Sequence, residues 1–187
     1  MHINIITYFK RKRAFRLNSN QLYISGKQHC LYLICLSYNK QAIQVFIANL
    51  SYDLFESSGE GIDGMAAVAS IIINRANATE GEFARISNGG DVRAIIEQPN
   101  QFTCLKTSIG GAYNPQNIYN MVPEDIHYEI ADWALAGNTV SSVGNSLFYF
   151  NPFSATCPNY FPSNIGVIYN RIGDHCFYSP TQAYSKT

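Results

Sequence analysis

"LFESSGEGIDGMAAVASIIINR", residues 54–75, decides how the chain is read. Its second half, from about Asp63 to Arg75, is apolar on nearly every side: Ala66, Val68, Ala69, Ile71, Ile72 and Ile73 leave no polar stripe. A helix of that kind is central in its domain. Its first half sets Glu56 and Glu60 on either side of Ser57, Ser58 and Gly59, which supply a helix stop. Upstream, Ile43, Phe46, Ile47, Leu50 and Leu54 recur at helical spacing and predict an amphipathic helix over 42–57. Two carboxylates therefore stand at the junction of two core helices.

Working outward, "DVRAIIEQ" predicts a short helix with Asp91 as its N-cap and Pro99 as its end. Residues 103–121 are rich in Gly, Asn and Tyr and read as a long loop, of the kind that covers binding sites. "VPEDIHYEIADWALAG" carries helix signals at both ends: Pro123 early, Glu124 and Asp125 in the first turn, Gly137 at the stop. "SLFYFNP", "GVIYNRIG" and "HCFYSP" read as short aromatic strands. Helices first and a small sheet last make an α+β domain. The division expected is a basic N-terminal extension over 1–41, poorly ordered or accessory, a folded domain over 42–180 and a tail over 181–187.

The chain has 187 residues, 47% of them apolar and only 14% charged, so most of it has the means to fold around a core. Its zero net charge conceals an asymmetry. Residues 1–50 hold seven Lys or Arg and no acid, whereas residues 51–187 hold six Lys or Arg and all 13 acids. The basic start "YFKRKRAFR" is followed by "LNSNQLYISGKQHCLYLICLSYNK", whose best apolar piece, "LYLICL", is too short to span a bilayer. Neither a clean signal peptide nor a stable membrane span is expected, and the five clustered basic residues alone make no case for nucleic acid. Five cysteines (Cys30, Cys35, Cys104, Cys157 and Cys176) match no zinc spacing, so no metal and no cofactor are expected. A bond between Cys157 and Cys176 is open to the chain in an oxidising compartment. The 13 Tyr and 11 Phe suit either a tyrosine-rich core or a carbohydrate-binding surface, since each tyrosine offers a flat apolar face and a hydroxyl.

Glu56 is the residue best placed for chemistry. A carboxyl in the last turn of a helix, beside Leu54, Phe55 and an apolar second helix, is disfavoured as an anion by the helix dipole and by desolvation alike. A carboxyl held protonated near neutral pH is what a glycosidic oxygen needs from a general acid. Its structural alternative is to cap nearby backbone amides. Glu60 is either a second carboxylate or the cap of the next helix. His175, in an apolar strand, is either hydrogen-bonded structure or an acid/base.

At this point several blocks, in order, resemble the SleB/CwlJ-type cell wall hydrolases, which include spore-cortex-lytic enzymes. "FESSGEGIDGMAAVASIIINR" is similar to that family's Glu-x-x-Gly-Glu core. "AIIEQPNQF" is similar to its I-x-Q-P-x-Q-F block, "ADWALAGNTVSSVGNSLFYFNPFSA" to its Ala-Leu-x-Gly…Phe-Tyr-x-Asn-Pro block, and "IGDHCFY" to its closing block. The resemblance covers about residues 45–178. It implies a fold related to lysozyme and lytic transglycosylases, with a small antiparallel sheet, and a catalytic glutamate that falls on Glu56. It implies peptidoglycan as substrate, cut between N-acetylmuramic acid and N-acetylglucosamine, and action at the cell wall, extracytoplasmic or spore-associated. Without a clean signal peptide, cytoplasmic retention stays open.

With one obvious acid, the resemblance favours lytic transglycosylase chemistry: Glu56 protonates the bridging oxygen and then takes a proton from the sugar's own C6 hydroxyl. A hydrolase normally needs a second carboxylate. Glu60, Gln101, Phe102, Tyr149, Asn151, His175 and Tyr178 lie in the matching blocks and are the expected substrate-binding residues, with Tyr178 and Phe150 able to stack on a sugar face. The rival readings are a glycan-binding domain without turnover and an amidase acting on the stem peptide. Spore germination, vegetative wall remodelling and phage lysis all use such a domain.

Overall fold

The computed structural model describes residues 61–99, 101–102, 105–115, 117, 120 and 124–187. The chain divides into two units, Met1–Gln41 and Ala42–Thr187, and every described residue belongs to the second. The expected helix over 42–57, Glu56, Glu60, the basic extension, Pro123 and Cys30, Cys35 and Cys104 lie outside the described residues.

The central helix, α1 (Gly61–Ala76), is buried almost without interruption from Gly64 to Ala76. Its small residues let neighbours approach, and α2 (Gly81–Ser87), α3 (Val92–Glu97) and α4 (Asp125–Leu135) all pack on it. The one hydroxyl inside the apolar run is satisfied on both sides. Ser70 Oγ donates to the Ala66 carbonyl at 2.7 Å and accepts from the Val140 amide at 2.9 Å, tying α1 to the turn after α4.

α3 begins as expected: the Asp91 carboxylate accepts from the Ala94 amide at 3.1 Å. α4 begins with Glu124 as its N-cap rather than inside its first turn, and the Glu124 amide donates to His127 Nδ1 at 2.8 Å. It stops before Gly137, whose φ of 85° is open to glycine at no steric cost. α2 has no counterpart in the sequence reading. It is seven residues long, and its N-cap, Glu80, makes no side-chain capping bond, so the usual start signal is missing.

The stretch 103–121, expected to be a plain loop, is more ordered where it is described. β1 (Ser108–Ile109) pairs antiparallel with β2 (Ala112–Tyr113) across Gly110 and Gly111, both at positive φ, as a two-residue hairpin turn requires. Asn114 and Asn117, both buried, donate to the Lys106 carbonyl at 2.8 and 3.0 Å and hold the hairpin's base.

The three aromatic strands form one antiparallel sheet, β3 (Phe148–Phe150), β4 (Gly166–Ile172) and β5 (His175–Pro180), in the order β3-β5-β4. Alternation sorts their side chains. Tyr149 and its cross-strand partner Phe177 face α1, where Phe177 is buried with Ala67, Ile71 and Val143. Phe148, Phe150 and Tyr178 face the other way, into a layer completed by Phe161, Phe83 and Tyr184. Cys176, also on that side, forms a disulfide with Cys157 at a Cα–Cα distance of 5.8 Å.

Residues 181–187, read as a tail, are packed onto α2. Tyr184 is buried, and its hydroxyl accepts from the Phe83 amide at 2.9 Å. The α+β class, with helices around one core and a small antiparallel sheet, is as the sequence indicates.

Candidate active site

The direction of α1 sets the site. Asn74, near its C-terminal end, donates to the carbonyls of Gly144 and Ser146, and Arg75 donates to that of Leu147, all just before β3. One to two turns back, Ile71 and Ala67 meet Phe177 in the middle of the sheet. The Gly61 end of α1 therefore points toward the far end of the sheet, where β3 leaves at Asn151 and β5 enters at His175.

At that end Tyr149, half-buried, has its ring centroid 5.7 Å from His175 and lies nearly parallel to Phe177 at 5.9 Å. His175 is buried, at 5% exposure. Asn151 follows in a tight turn in which its side-chain oxygen accepts from the Phe153 amide at 2.8 Å. The structure thus brings Tyr149 and His175 together, with Asn151 one residue beyond the Phe150–Cys176 pair that ends the ladder.

Gln101 and Phe102 form a second group, gathered on Arg75. Arg75 Nη1 donates to Gln101 Oε1 at 3.3 Å, Nε donates to the Leu147 carbonyl at 2.7 Å, and the guanidinium lies 4.6 Å from the centre of the Phe83 ring and 5.9 Å from that of Phe102. Burial pushes the Arg75 pKa down to about 10, while the fields of Tyr149 and Tyr184 pull it upward. The sequence reading missed this residue, although an arginine closing an all-apolar helix is a signal, because a guanidinium at such a place is buried only with partners.

Two expectations are corrected. Tyr178 is fully buried, with Phe150 parallel to it at 5.6 Å and Phe161 edge-on at 5.6 Å, so its ring faces core residues rather than a sugar. Burial raises its phenol pKa. Phe102 is likewise interior, at 7% exposure, and serves as a wall for Arg75. Phe150, half-buried on the same layer as Tyr178, gives its ring to that stack.

A polar groove of about 660 Å³ opens elsewhere, lined by Asn77, Glu80, Asn145, Leu147 and Gln182 among others. It lies at the C-terminal end of α1, away from Asn151 and His175, and the sugar chemistry is not assigned to it. Among the described residues no three His, Cys, Asp or Glu side chains gather to hold a metal, and no helix is long and apolar enough to cross a membrane.

Residues 59–178 match the cell wall hydrolase family. The chain belongs to that family. Glu60 falls inside the matched range and Glu56 lies three residues before it. Among solved structures, the chain is similar to the catalytic domain of the Bacillus cereus SleB protein, at 29% identity over 74% of this chain and 91% of that one, with a TM-score of 0.50. A second similarity is to the catalytic domain of the germination-specific lytic transglycosylase SleB from Bacillus anthracis, at 29% identity over 74% and 95%, with a TM-score of 0.48. Nothing matches among curated proteins. Family membership makes this chain a cell wall hydrolase.

Proposed function

We propose that this chain cleaves the peptidoglycan glycan strand between N-acetylmuramic acid and N-acetylglucosamine as a lytic transglycosylase, with Glu56 as its single general acid and base. The observation that supports the proposal is the pairing of Tyr149 with His175 at the end of the sheet toward which the Gly61 end of α1 points, since in the sequence Glu60 and Glu56 stand one and five residues before Gly61. In this reading Glu56 protonates the bridging oxygen as the bond to C1 breaks, and the carboxylate then removes the proton of the C6 hydroxyl, which closes the 1,6-anhydro ring. No water enters and no second carboxylate is needed. The described acids at this end fit such a scheme. Asp63 is exposed in the first turn of α1, and Asp174 is exposed with Arg171 Nη2 at 3.7 Å, so neither resembles the sheltered partner of a hydrolase pair.

Asn151, Tyr149 and Gln101 supply the side-chain amides and hydroxyl that recognise acetamido and sugar hydroxyl groups. Glu60 completes the binding set, while His175, more deeply buried than Phe102, backs the Tyr149 ring rather than meeting the substrate itself. Action outside the cytoplasm accords with the Cys157–Cys176 disulfide, a bond that persists in oxidising compartments.

The test is digestion of purified peptidoglycan followed by mass spectrometry of the soluble products. The wild type is expected to release fragments ending in 1,6-anhydro-N-acetylmuramic acid, and Glu56→Gln to release none. Reducing muramic ends would replace transglycosylation by hydrolysis. Full activity in Glu56→Gln together with its loss in Glu60→Gln would move the acid to Glu60.

A further inference from the structure

Phe153 is 87% exposed, more than any other large apolar side chain described. Its φ is 50°, in the left-handed region that a bulky residue rarely occupies. A disordered tip would relax out of that conformation, but this one is held from both sides. The Phe153 amide donates to Asn151 Oδ1 at 2.8 Å. On the following residue, the Ser154 carbonyl accepts from Arg171 Nη1 at 2.9 Å, and Ser154 Oγ donates to the Thr156 carbonyl at 2.7 Å. Arg171 is itself fixed by its Nε, which donates to the Gly173 carbonyl at 2.9 Å, and Cys157 bonds to Cys176 in β5. The backbone is pinned while the ring faces solvent.

We propose that Phe153 is a stacking platform for a pyranose ring of the glycan strand, one sugar or more from the bond that is cut. The proposal rests on the glycan-strand reading above. Three features select a sugar as the occupant. The platform is two residues from Asn151, and its backbone amide is bonded to that residue's side chain, so it belongs to the same turn as a group already assigned to the substrate. A pyranose presents a flat face of C–H groups that matches an aromatic face, and its hydroxyl rim stays in water. A linear polymer also needs holding points beyond the reacting pair, and binding energy from such remote units is what positions the reacting centre. The stacking role expected at Phe150 and Tyr178 thus passes to Phe153, whose ring is exposed.

The test is cosedimentation on ice of the full chain with purified peptidoglycan sacculi, and in parallel its binding to glycan strands stripped of stem peptides. Phe153→Ala is expected to weaken both about three- to tenfold, Phe153→Trp to restore both, and Tyr160→Ala, which removes another exposed aromatic, to change neither. Phe153→Gly separates function from folding: it relieves the left-handed backbone, so it should raise Tm while it lowers affinity. Unchanged affinity in Phe153→Ala overturns the proposal, as does an equal loss in Tyr160→Ala. A loss confined to peptide-bearing sacculi also overturns it and makes the ring a peptide contact. If the wild type binds sacculi yet releases no fragments, the catalytic reading fails while the affinities of the Phe153 variants still decide this one.

Discussion

Breaking the Cys157–Cys176 bond should destabilise the domain by about 3 kcal/mol at 25 °C. The two cysteines are 19 residues apart in sequence. The chain-entropy relation for a loop of about 20 residues gives that figure from the freedom the unfolded chain regains. In a chain of this size each kcal/mol moves Tm by about 2–4 °C, so a loss of about 10 °C is expected. Cys157→Ser is the cleaner perturbation, because Cys157 is only half-buried whereas Cys176 is fully enclosed and a polar replacement there would add its own cost. The assay is thermal unfolding followed by circular dichroism for the wild type with and without reductant, and for Cys157→Ser under both conditions. The reasoning requires the reduced wild type and the variant to melt together, well below the oxidised wild type, and reductant to leave the variant unmoved. Oxidised wild type and variant melting within a degree of each other would refute it. The same variant frees one anchor of the loop that carries Phe153, so its affinity for sacculi should fall as well.

Three other outcomes follow. His127 is buried, accepts a hydrogen bond at Nδ1 and has its pKa lowered by desolvation. The unfolded chain therefore takes up a proton that the folded one resists, and stability should fall as pH drops through the unfolded value of about 6.5. Chemical denaturation between neutral pH and pH about 5 should show that slope, and His127→Gln should flatten it. Arg75→Met leaves the Leu147 carbonyl without its donor and releases Gln101, which should cost about 1–3 kcal/mol in urea unfolding and weaken substrate binding through Gln101. Gly144→Ala meets two obstacles, a φ of 55° and a new Cβ 2.5 Å from the Tyr169 ring, so a loss above about 1 kcal/mol is expected in the same assay.

What was legible in the sequence was whatever is written locally. The unbroken apolar face of Met65–Ile73 announced α1, the Asp91 carboxylate announced the start of α3, and the alternation around Tyr149 and Phe177 announced the strands. α2 was not legible, because its start carries no side-chain cap and its anchoring partner, Tyr184, is about a hundred residues away. The hairpin at Gly110–Gly111 was hidden by strands only two residues long. Within the site, strand pairing brings the blocks that carry Tyr149 and His175 side by side, which the order of the blocks along the chain does not show by itself. Tyr178 was misjudged because the composition of an aromatic strand does not reveal which face is covered; Phe161, from the connection between β3 and β4, covers it. Arg75 and Phe153 depend on tertiary partners and on a left-handed backbone, neither of which leaves a periodic trace.

The Phe83–Tyr184 contact bears on how the domain is made. Emerging from the ribosome in order, α2 must wait about a hundred residues before the hydroxyl that seals its first turn and the ring that covers Phe83 arrive. Until then the side of α2 that carries Phe83 lacks its Tyr184 cover. The Cys157–Cys176 bond, by contrast, waits on an oxidising compartment.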